Sequence, residues 1–123
     1  MAGVYDSGNH PSVLFKPGYK IWLEKEGGVQ GDGFFQLLEH IEQKGTITAA
    51  AQAMQMSYRA AWGKIRAAEK QWHISLVTTR VGGETGGGAR LTPGAIDLLH
   101  RFGKFRREVD AEIAKIFADN FYS

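Results

Sequence analysis

The sequence contains no cysteine, which excludes disulfide bonds and thiolate metal sites. It also lacks an apolar run of 18 residues and a signal-peptide pattern, so we expect a cytoplasmic protein that does not span a membrane. Its four histidines are scattered without the spacing of metal ligands, and no nucleophile with a neighbouring base is evident. These absences argue against an enzyme.

The 123 residues nevertheless contain enough apolar side chains for one modest core, because 43% of them are hydrophobic and 11% are aromatic. Residues 1–18 show no hydrophobic periodicity and are predicted to be a mobile tail. Residues 19–123 are predicted to form a single domain, since two domains would not fit.

Two short helices that meet at a tight turn are predicted in the middle of the chain. The first is expected over Thr48–Met54, with the Thr48 side chain capping its free N–H groups. Ser57 is expected to cap the second helix, which spans residues 57–70. This pattern is typical of a helix-turn-helix, whose second helix is the recognition helix that enters the major groove of DNA.

The recognition helix has an apolar side and a polar side. Three positions at helical spacing are expected to face the core: Ala61, Ile65 and Ala68. Five others are then expected on or near the outward side of the first turns: Tyr58, Arg59, Trp62, Gly63 and Lys64. Arginine can donate two hydrogen bonds to a guanine edge, tyrosine can bond a phosphate or a base, and tryptophan can lie on a thymine methyl group or a sugar.

A β-hairpin, or wing, is predicted directly after the recognition helix. Segments rich in β-formers at Leu76–Val81 and Ala89–Thr92 flank a glycine-rich part, and the wing is expected to meet DNA through residues 81–90. A phosphate-binding P-loop is not supported, because it requires Gly-Lys-Ser/Thr at the start of a helix, whereas Gly88 leads into Ala89-Arg90-Leu91.

The charge distribution favours a partner with phosphate groups. The whole chain carries a net charge of only +2, but residues 57–92 hold six basic residues against two acidic ones. A local basic surface is what phosphate binding requires, because each neutralised phosphate releases counterions. The basic residues are Arg59, Lys64, Arg66, Lys70, Arg80 and Arg90. Arg66 and Lys70 lie late in the helix, and for them a solvated charged surface is as well supported as phosphate binding.

The run from Gly45 to Gly94 resembles the N-terminal winged-helix domain of the ModE family of molybdate-responsive transcription regulators, and more distantly the DNA-binding domain of LysR-type regulators. The matching motifs are Gly45-x-Ile47, Ser57-Tyr58-Arg59-x-Ala61-Trp62, Gly82-Gly83, and Gly86-Gly87-Gly88-Ala89-x-Leu91-Thr92. The resemblance implies a mainly α fold with a small β wing, a winged helix-turn-helix, and binding of operator DNA by a transcription regulator.

The pattern and the resemblance together predict a set of DNA-binding residues: Thr46, Thr48, Ser57, Tyr58, Arg59, Trp62, Gly63, Lys64, Arg66, Arg80, Gly86, Gly87 and Arg90. The resemblance also implies a link to molybdenum homeostasis. The family's molybdate-binding domains would begin where this chain ends, at Ser123. We therefore expect no cofactor in this chain and a signal that arrives through a protein partner.

The segment before the helix-turn-helix is predicted to support it. The chain alternates Tyr19, Ile21 and Leu23 with Lys20, Trp22 and Glu24, as expected for a half-buried strand. This strand is expected either to join the wing sheet or to pair with its counterpart in a second subunit. Asp32 is expected to cap the following helix, which Lys44-Gly45 ends. Its apolar face would consist of Phe34, Leu37, Leu38 and Ile41.

A long helix over residues 93–119 is predicted at the C-terminus, with Thr92 as its cap and Pro93 as its first residue. Its apolar stripe is too long for a small domain to cover, which favours a homodimer, although the helix could instead fold back on its own domain. The predicted dimerisation residues are Leu98, Phe102, Phe105, Val109, Ile113 and Ile116.

Two functions remain open. The first is a dimeric, sequence-specific transcription regulator that binds double-stranded DNA. The alternative is a protein-interaction module on a winged-helix scaffold, in which Tyr58 and Trp62 bind a protein partner instead of DNA.

Overall fold

The computed structural model describes residues 15–80 and 87–122. Within these ranges the chain forms β1 (Trp22–Lys25), β2 (Gly28–Gly31), α1 (Asp32–Lys44), α2 (Ile47–Ala53), α3 (Tyr58–Trp72), β3 (Val77–Arg80), β4 (Gly88–Leu91) and α4 (Pro93–Phe121). The chain divides into two compact units, one of residues 20–102 and one that combines residues up to 19 with residues from 103 onward. None of the described helices has the length and apolar character needed to cross a membrane.

Helix α1 lies in the core of the larger unit. The predicted apolar face of Phe34, Leu37, Leu38 and Ile41 is buried, and Phe35, which the periodicity did not select, is buried as well. The helix ends at Gly45 in the left-handed conformation, as predicted, and the Gly45 N–H donates to the Ile41 carbonyl at 2.9 Å.

The prediction that Asp32 caps α1 is wrong. The capping position is Gly31, which has no side chain to accept a hydrogen bond, and Asp32 is the first helical residue. A carboxylate in the first turn is still favourable, because it lies near the positive end of the helix dipole.

Helix α2 starts earlier than predicted, and its cap is Thr46 rather than Thr48. The Thr46 hydroxyl accepts the Ala49 N–H at 3.0 Å. Ile47 is buried in the core and is already helical, which places Thr48 inside the first turn. The helix packs closely on its neighbours through the small buried residues Ala50 and Ala51.

The recognition helix, α3, begins as predicted. The Ser57 hydroxyl accepts the Ala60 N–H at 3.0 Å, and the three residues expected to face the core, Ala61, Ile65 and Ala68, are fully buried. The helix continues past residue 70 to Trp72 and ends at His73, which adopts the left-handed conformation with φ of 55°.

The segment before α1 forms a hairpin of its own. Strands β1 and β2 are antiparallel, with Trp22 opposite Gly31, and only Glu26 and Gly27 separate them. Both turn residues have positive φ, as in the tight turns that fit the twist of a hairpin. Of the two alternatives predicted for the first strand, joining the wing sheet is wrong, because its partner is β2 and the wing forms a separate two-stranded sheet. Pairing with a second subunit stays a prediction.

This first hairpin binds the C-terminal end of the recognition helix. The Trp72 indole N–H donates to the Gly28 carbonyl at 3.0 Å, and the Lys25 ammonium donates to the Trp72 carbonyl at 2.7 Å. A Cβ atom on Gly28 would lie 2.8 Å from the Trp72 ring, so only glycine permits this approach. The Trp72 ring also meets Phe34 and Phe35, with ring centroids 6.2 and 6.4 Å away.

Helix α4 begins as predicted and is longer than expected. Pro93 is its first residue, the Thr92 hydroxyl accepts the Ala95 N–H at 3.1 Å, and the helix runs to Phe121. Its first part contributes Ala95, Leu99 and Phe102 to the core of the larger unit. The Phe102 ring stacks on Phe35 with centroids 4.0 Å apart.

The smaller unit is built on the second half of α4. The Tyr19 hydroxyl donates to the Asp110 carboxylate, and the Arg106 guanidinium lies 5.2 Å from the centre of the Tyr19 ring. Residues 15–18, part of the predicted tail, are exposed and form no helix or strand, while residues 1–14 lie outside the described part of the chain.

Candidate nucleic-acid interface

An open groove of about 380 Å³ lies where the start of α2, the first turns of α3 and the wing strands meet. Six of the predicted DNA-binding residues line it: Thr46, Thr48, Tyr58, Trp62, Arg80 and Gly87. They come from the start of α2, from α3 and from the wing, so the fold brings together residues that are up to 41 positions apart in the sequence. Gly86 was also predicted to bind DNA, and it lies outside the described residues.

The recognition helix presents polar and aromatic side chains on its solvent side. The Tyr58 side chain is 51% exposed, and Arg59, Gly63 and Lys64 are exposed as well. Trp62 is half-buried and packs against the core while it also lines the groove. Ser57 is exposed, although its hydroxyl is engaged as the helix cap.

Arg66 differs from the other basic residues of α3 because its charge is already paired. Its guanidinium donates to the Glu69 carboxylate at 2.8 Å and lies over the Trp62 ring, 4.2 Å from the ring centre. Its side chain is nevertheless 60% exposed. A paired guanidinium attracts phosphate less than a free one does, which weakens the expectation that Arg66 binds DNA.

The wing has the antiparallel pairing that the sequence predicts. Val77 lies opposite Leu91 and Arg80 lies opposite Gly88, which gives two four-residue strands. Arg80 and Arg90 are exposed and line a second shallow depression of about 430 Å³ with Thr78, Thr79 and Gly88. The wing connection over residues 81–86 lies outside the described residues.

Three contacts fix the base of the wing to the helices. The Ala89 N–H donates to the Gly45 carbonyl at 2.8 Å, which joins β4 to the end of α1. The Glu69 carboxylate accepts the N–H groups of Leu76 and Val77 at 2.8 and 3.2 Å, which joins the start of β3 to α3. The base of the wing is therefore attached to both α1 and α3, the helix that forms the other side of the groove.

Several residues of this region, Thr79 and Glu69 among them, were not identified from the sequence. Thr79 lines the groove, and the only signal for it is the pair of polar residues in the strand that precedes Arg80. No feature of the sequence indicates a role for Glu69, because an acidic residue near the end of a helix is usually a solvated charge. Its side chain is only 11% exposed in the structure.

The surface offers no described metal site. Among residues 15–80 and 87–122, no three histidine, aspartate or glutamate side chains are grouped in a way that could hold a metal ion. The hydroxyl, aromatic and guanidinium groups of the groove are instead suited to phosphate oxygens, sugars and base edges.

The residues predicted for dimerisation fall into two groups. Phe102 is only 5% exposed and stacks on Phe35, so its assignment to a dimer interface is corrected to the core of its own chain. Leu98 is half-buried and packs against that core. Phe105 and Ile116 are well exposed, at 45% and 57%, and Val109 and Ile113 are partly buried.

The end of α4 also carries an apolar depression within the smaller unit. It measures about 480 Å³ and is lined by Pro17, Ile113, Ile116, Phe117, Asn120 and Phe121. Earlier on the same helix, Lys104 donates a hydrogen bond to Glu108, which lowers the pKa of that exposed carboxyl group.

A helix-turn-helix followed by a two-stranded wing defines the winged-helix class of protein. A solved structure described as a complex of the CbnR DNA-binding domain with DNA has the same fold, with a TM-score of 0.55, 15% identity, and coverage of 71% of this chain and 94% of that chain. The predicted fold class is therefore confirmed.

A family model described as bacterial regulatory helix-turn-helix protein, lysR family, matches residues 34–95, and the chain belongs to this family. The family consists of regulatory proteins and not of enzymes, as the sequence indicated.

Curated relatives support the resemblance to ModE. The chain is 35% identical over 98 residues to the molybdenum-pterin-binding protein MopB of Rhodobacter capsulatus, covering 80% of this chain and 35% of that protein. It is 44% identical over 66 residues to the molybdenum transport protein ModE of Herbaspirillum seropedicae, covering 54% of this chain and 24% of that protein. The chain thus spans about a third or less of the length of these relatives.

Proposed function

We propose that this chain binds operator DNA as a dimer and regulates transcription, with α3 in the major groove and the wing on the flanking backbone. The observation that carries the proposal is the groove in which Tyr58, Trp62 and Arg80 meet. Membership of a regulatory helix-turn-helix family and the fold shared with a DNA-bound domain support it.

The exposed side chains suggest a division of roles. Arg59 and Tyr58 stand in the first turn of α3, the part of a recognition helix that reads base edges. Lys64, Arg80 and Arg90 are exposed cations that suit phosphate oxygens. Thr46, Thr48 and Ser57 would offer hydroxyl groups to the DNA backbone, and Gly63 and Gly87, which have no side chains, would allow its close approach. Arg66 would contribute least, because Glu69 already neutralises it.

The second half of α4 is our proposed dimer interface. Phe105, Val109, Ile113 and Ile116 leave apolar surface exposed along one helix, together with the apolar depression that ends at Phe121. Burial of such a surface against a second copy is favourable, and a two-fold dimer would match half-sites about one helical turn apart.

A link to molybdenum homeostasis completes the proposal. It is supported by relatives whose names refer to molybdenum transport and molybdenum-pterin binding. In this proposal the regulated genes are the ones concerned with molybdenum. The effector signal reaches the domain through a protein partner, and these residues bind no cofactor. A cytoplasmic location follows from this role.

The proposal is tested by selecting duplexes from random DNA at two salt concentrations and reading the enriched sequences. A two-fold symmetric motif that persists at the higher salt is expected. Arg59→Ala should weaken binding to that motif by about 1 to 3 kcal/mol and leave binding to random DNA nearly unchanged. Lys64→Ala should weaken both equally and reduce the slope of log affinity against log salt by about 1.

Lys115→Ala is the matched control, because it removes an exposed lysine from α4 rather than from the recognition helix. It should leave both affinities and the salt slope unchanged. Equal losses on motif and random DNA for Arg59→Ala would contradict the assignment of Arg59 to base reading.

The alternative function, a protein-interaction module, is favoured by one observation. Tyr58 and Trp62 are large aromatic side chains beside a groove, and such residues are common at the centres of protein interfaces. Failure to enrich any duplex at either salt concentration would favour this alternative over DNA binding.

A further inference from the structure

Glu69 connects the wing to the DNA-facing side of the recognition helix through an unbroken series of contacts. One carboxylate oxygen accepts the backbone N–H groups of Leu76 and Val77, at the start of the wing. The other oxygen accepts a hydrogen bond from the Arg66 guanidinium. That guanidinium lies over the ring of Trp62, which lines the groove.

The partial burial of Glu69 makes these contacts unusual for an acidic residue on a helix. At 11% exposure, its carboxylate has lost most of its contact with water and relies on three protein donors instead. Hydrogen bonds to a charged group are stronger than those between neutral groups, and two of these are partly buried. The carboxylate therefore joins α3 to the wing rather than standing as a solvated surface charge.

We propose that Glu69 is a positioning residue that sets the width of the groove and the orientation of Trp62, and so controls discrimination between DNA sequences. This inference rests on the proposed DNA-binding function. Glu69 acts from behind the interface: its contacts are with the wing backbone and with Arg66, and Arg66 in turn holds the indole ring by a cation–π contact.

The charge of Glu69 and its positioning role predict changes in DNA affinity that can be told apart. A carboxylate near a DNA-binding surface repels phosphate, so Glu69→Gln alone should leave affinity for random DNA unchanged or higher. Glutamine replaces one of the two carboxylate oxygens with an NH2 group, which would face either the Arg66 guanidinium or the wing N–H groups donor to donor, so it cannot keep the hydrogen bonds on both sides. If Glu69 positions the groove, the variant should lose affinity for the selected motif. The ratio of motif affinity to random-DNA affinity should then fall about fivefold.

Two further variants show whether the effect passes through Trp62. In a Trp62→Ala background, Glu69→Gln should change the affinity ratio by less than about twofold, because the element that it positions is gone. Asp97→Asn is the matched control: it removes the same charge and breaks an arginine pair, with Arg101, on α4. It should not change the ratio.

A measurement without DNA tests the contacts themselves. In Glu69→Gln, NMR should show faster exchange of the Leu76 and Val77 amide protons and a shifted indole N–H signal for Trp62. If these signals are unchanged, the positioning role is overturned regardless of any DNA result. If they change but the affinity ratio does not, the role in discrimination is overturned while DNA binding stands. If the unmodified protein enriches no duplex, the proposed function itself fails, and the inference fails with it.

Discussion

The two hairpins of the larger unit have strands of equal length but different connections. Each strand has four residues, yet β1 and β2 are joined by two residues, whereas seven residues separate β3 from β4 in the sequence. The short turn has positive φ at both positions and holds a stiff hairpin against Trp72. The long connection is rich in glycine and follows a strand that ends in Arg80. One hairpin therefore supports the recognition helix, and the other extends the surface that the helix presents.

The largest effect is expected where the supporting hairpin meets the helix. Gly28→Ala would place a Cβ atom 2.8 Å from the Trp72 ring and disturb the indole hydrogen bond. We expect a loss of about 2 to 3 kcal/mol in the free energy of unfolding, measured by urea titration.

Gly33→Ala is the control for this change, because nothing lies within 4 Å of its added Cβ and its backbone is helical. It should be neutral or slightly stabilising. A loss below about 0.5 kcal/mol for Gly28→Ala would mean that the hairpin moves aside easily and does not hold the helix.

The second prediction separates the hairpins by their effect on DNA. Arg80→Ala in the wing should reduce the salt slope of DNA binding by about 1 and weaken binding by about 1 kcal/mol. Lys25→Ala in the first hairpin removes the same charge, but that ammonium is bonded to the Trp72 carbonyl. Fluorescence anisotropy at several salt concentrations should show an unchanged slope for Lys25→Ala; equal changes in slope would remove the distinction between the hairpins.

The smallest effect is expected at the tight turn itself. Glu26 adopts a left-handed conformation, with φ of 51°, which asparagine tolerates better than glutamate. Glu26→Asn should stabilise the fold by about 0.5 kcal/mol, detected as a higher urea midpoint with an unchanged slope. Glu24→Asn removes the same charge from β1, where the backbone is extended, and should give no gain.

Much of the helix-turn-helix and the wing could be predicted because local signals agree there. The Ser57 cap, the buried spacing of Ala61 and Ile65, and the strands around the glycine-rich segment each specify their element without help from distant residues. The cap of α2 was predicted at Thr48, and that prediction is wrong. The cap is Thr46 because the buried Ile47 is already part of the helix.

The first hairpin was predicted incompletely because β2 carries little signal. Its four residues include glycine at both ends, which is unfavourable for a strand, and Glu26-Gly27 is not among the common turn pairs. The strand is held by its pairing with β1 and by the docking of Gly28 on Trp72, 44 residues away, and local propensity signals neither contact. Phe102 was misassigned for a similar reason, because its burial depends on the Phe35 ring from another helix.

The carbonyl of Gly45, which accepts the Ala89 N–H, has a consequence for the order in which the chain folds. This contact and the one between Trp72 and Gly28 each join residues 44 positions apart, so the two docking steps cost similar loop-closure entropy. The entropy cost of closing the connection within each hairpin then determines which hairpin forms first. A two-residue loop closes at lower cost than a seven-residue glycine-rich one, so we infer that the supporting hairpin assembles first and the wing last. The surface that would read DNA is then completed on a scaffold that has already formed.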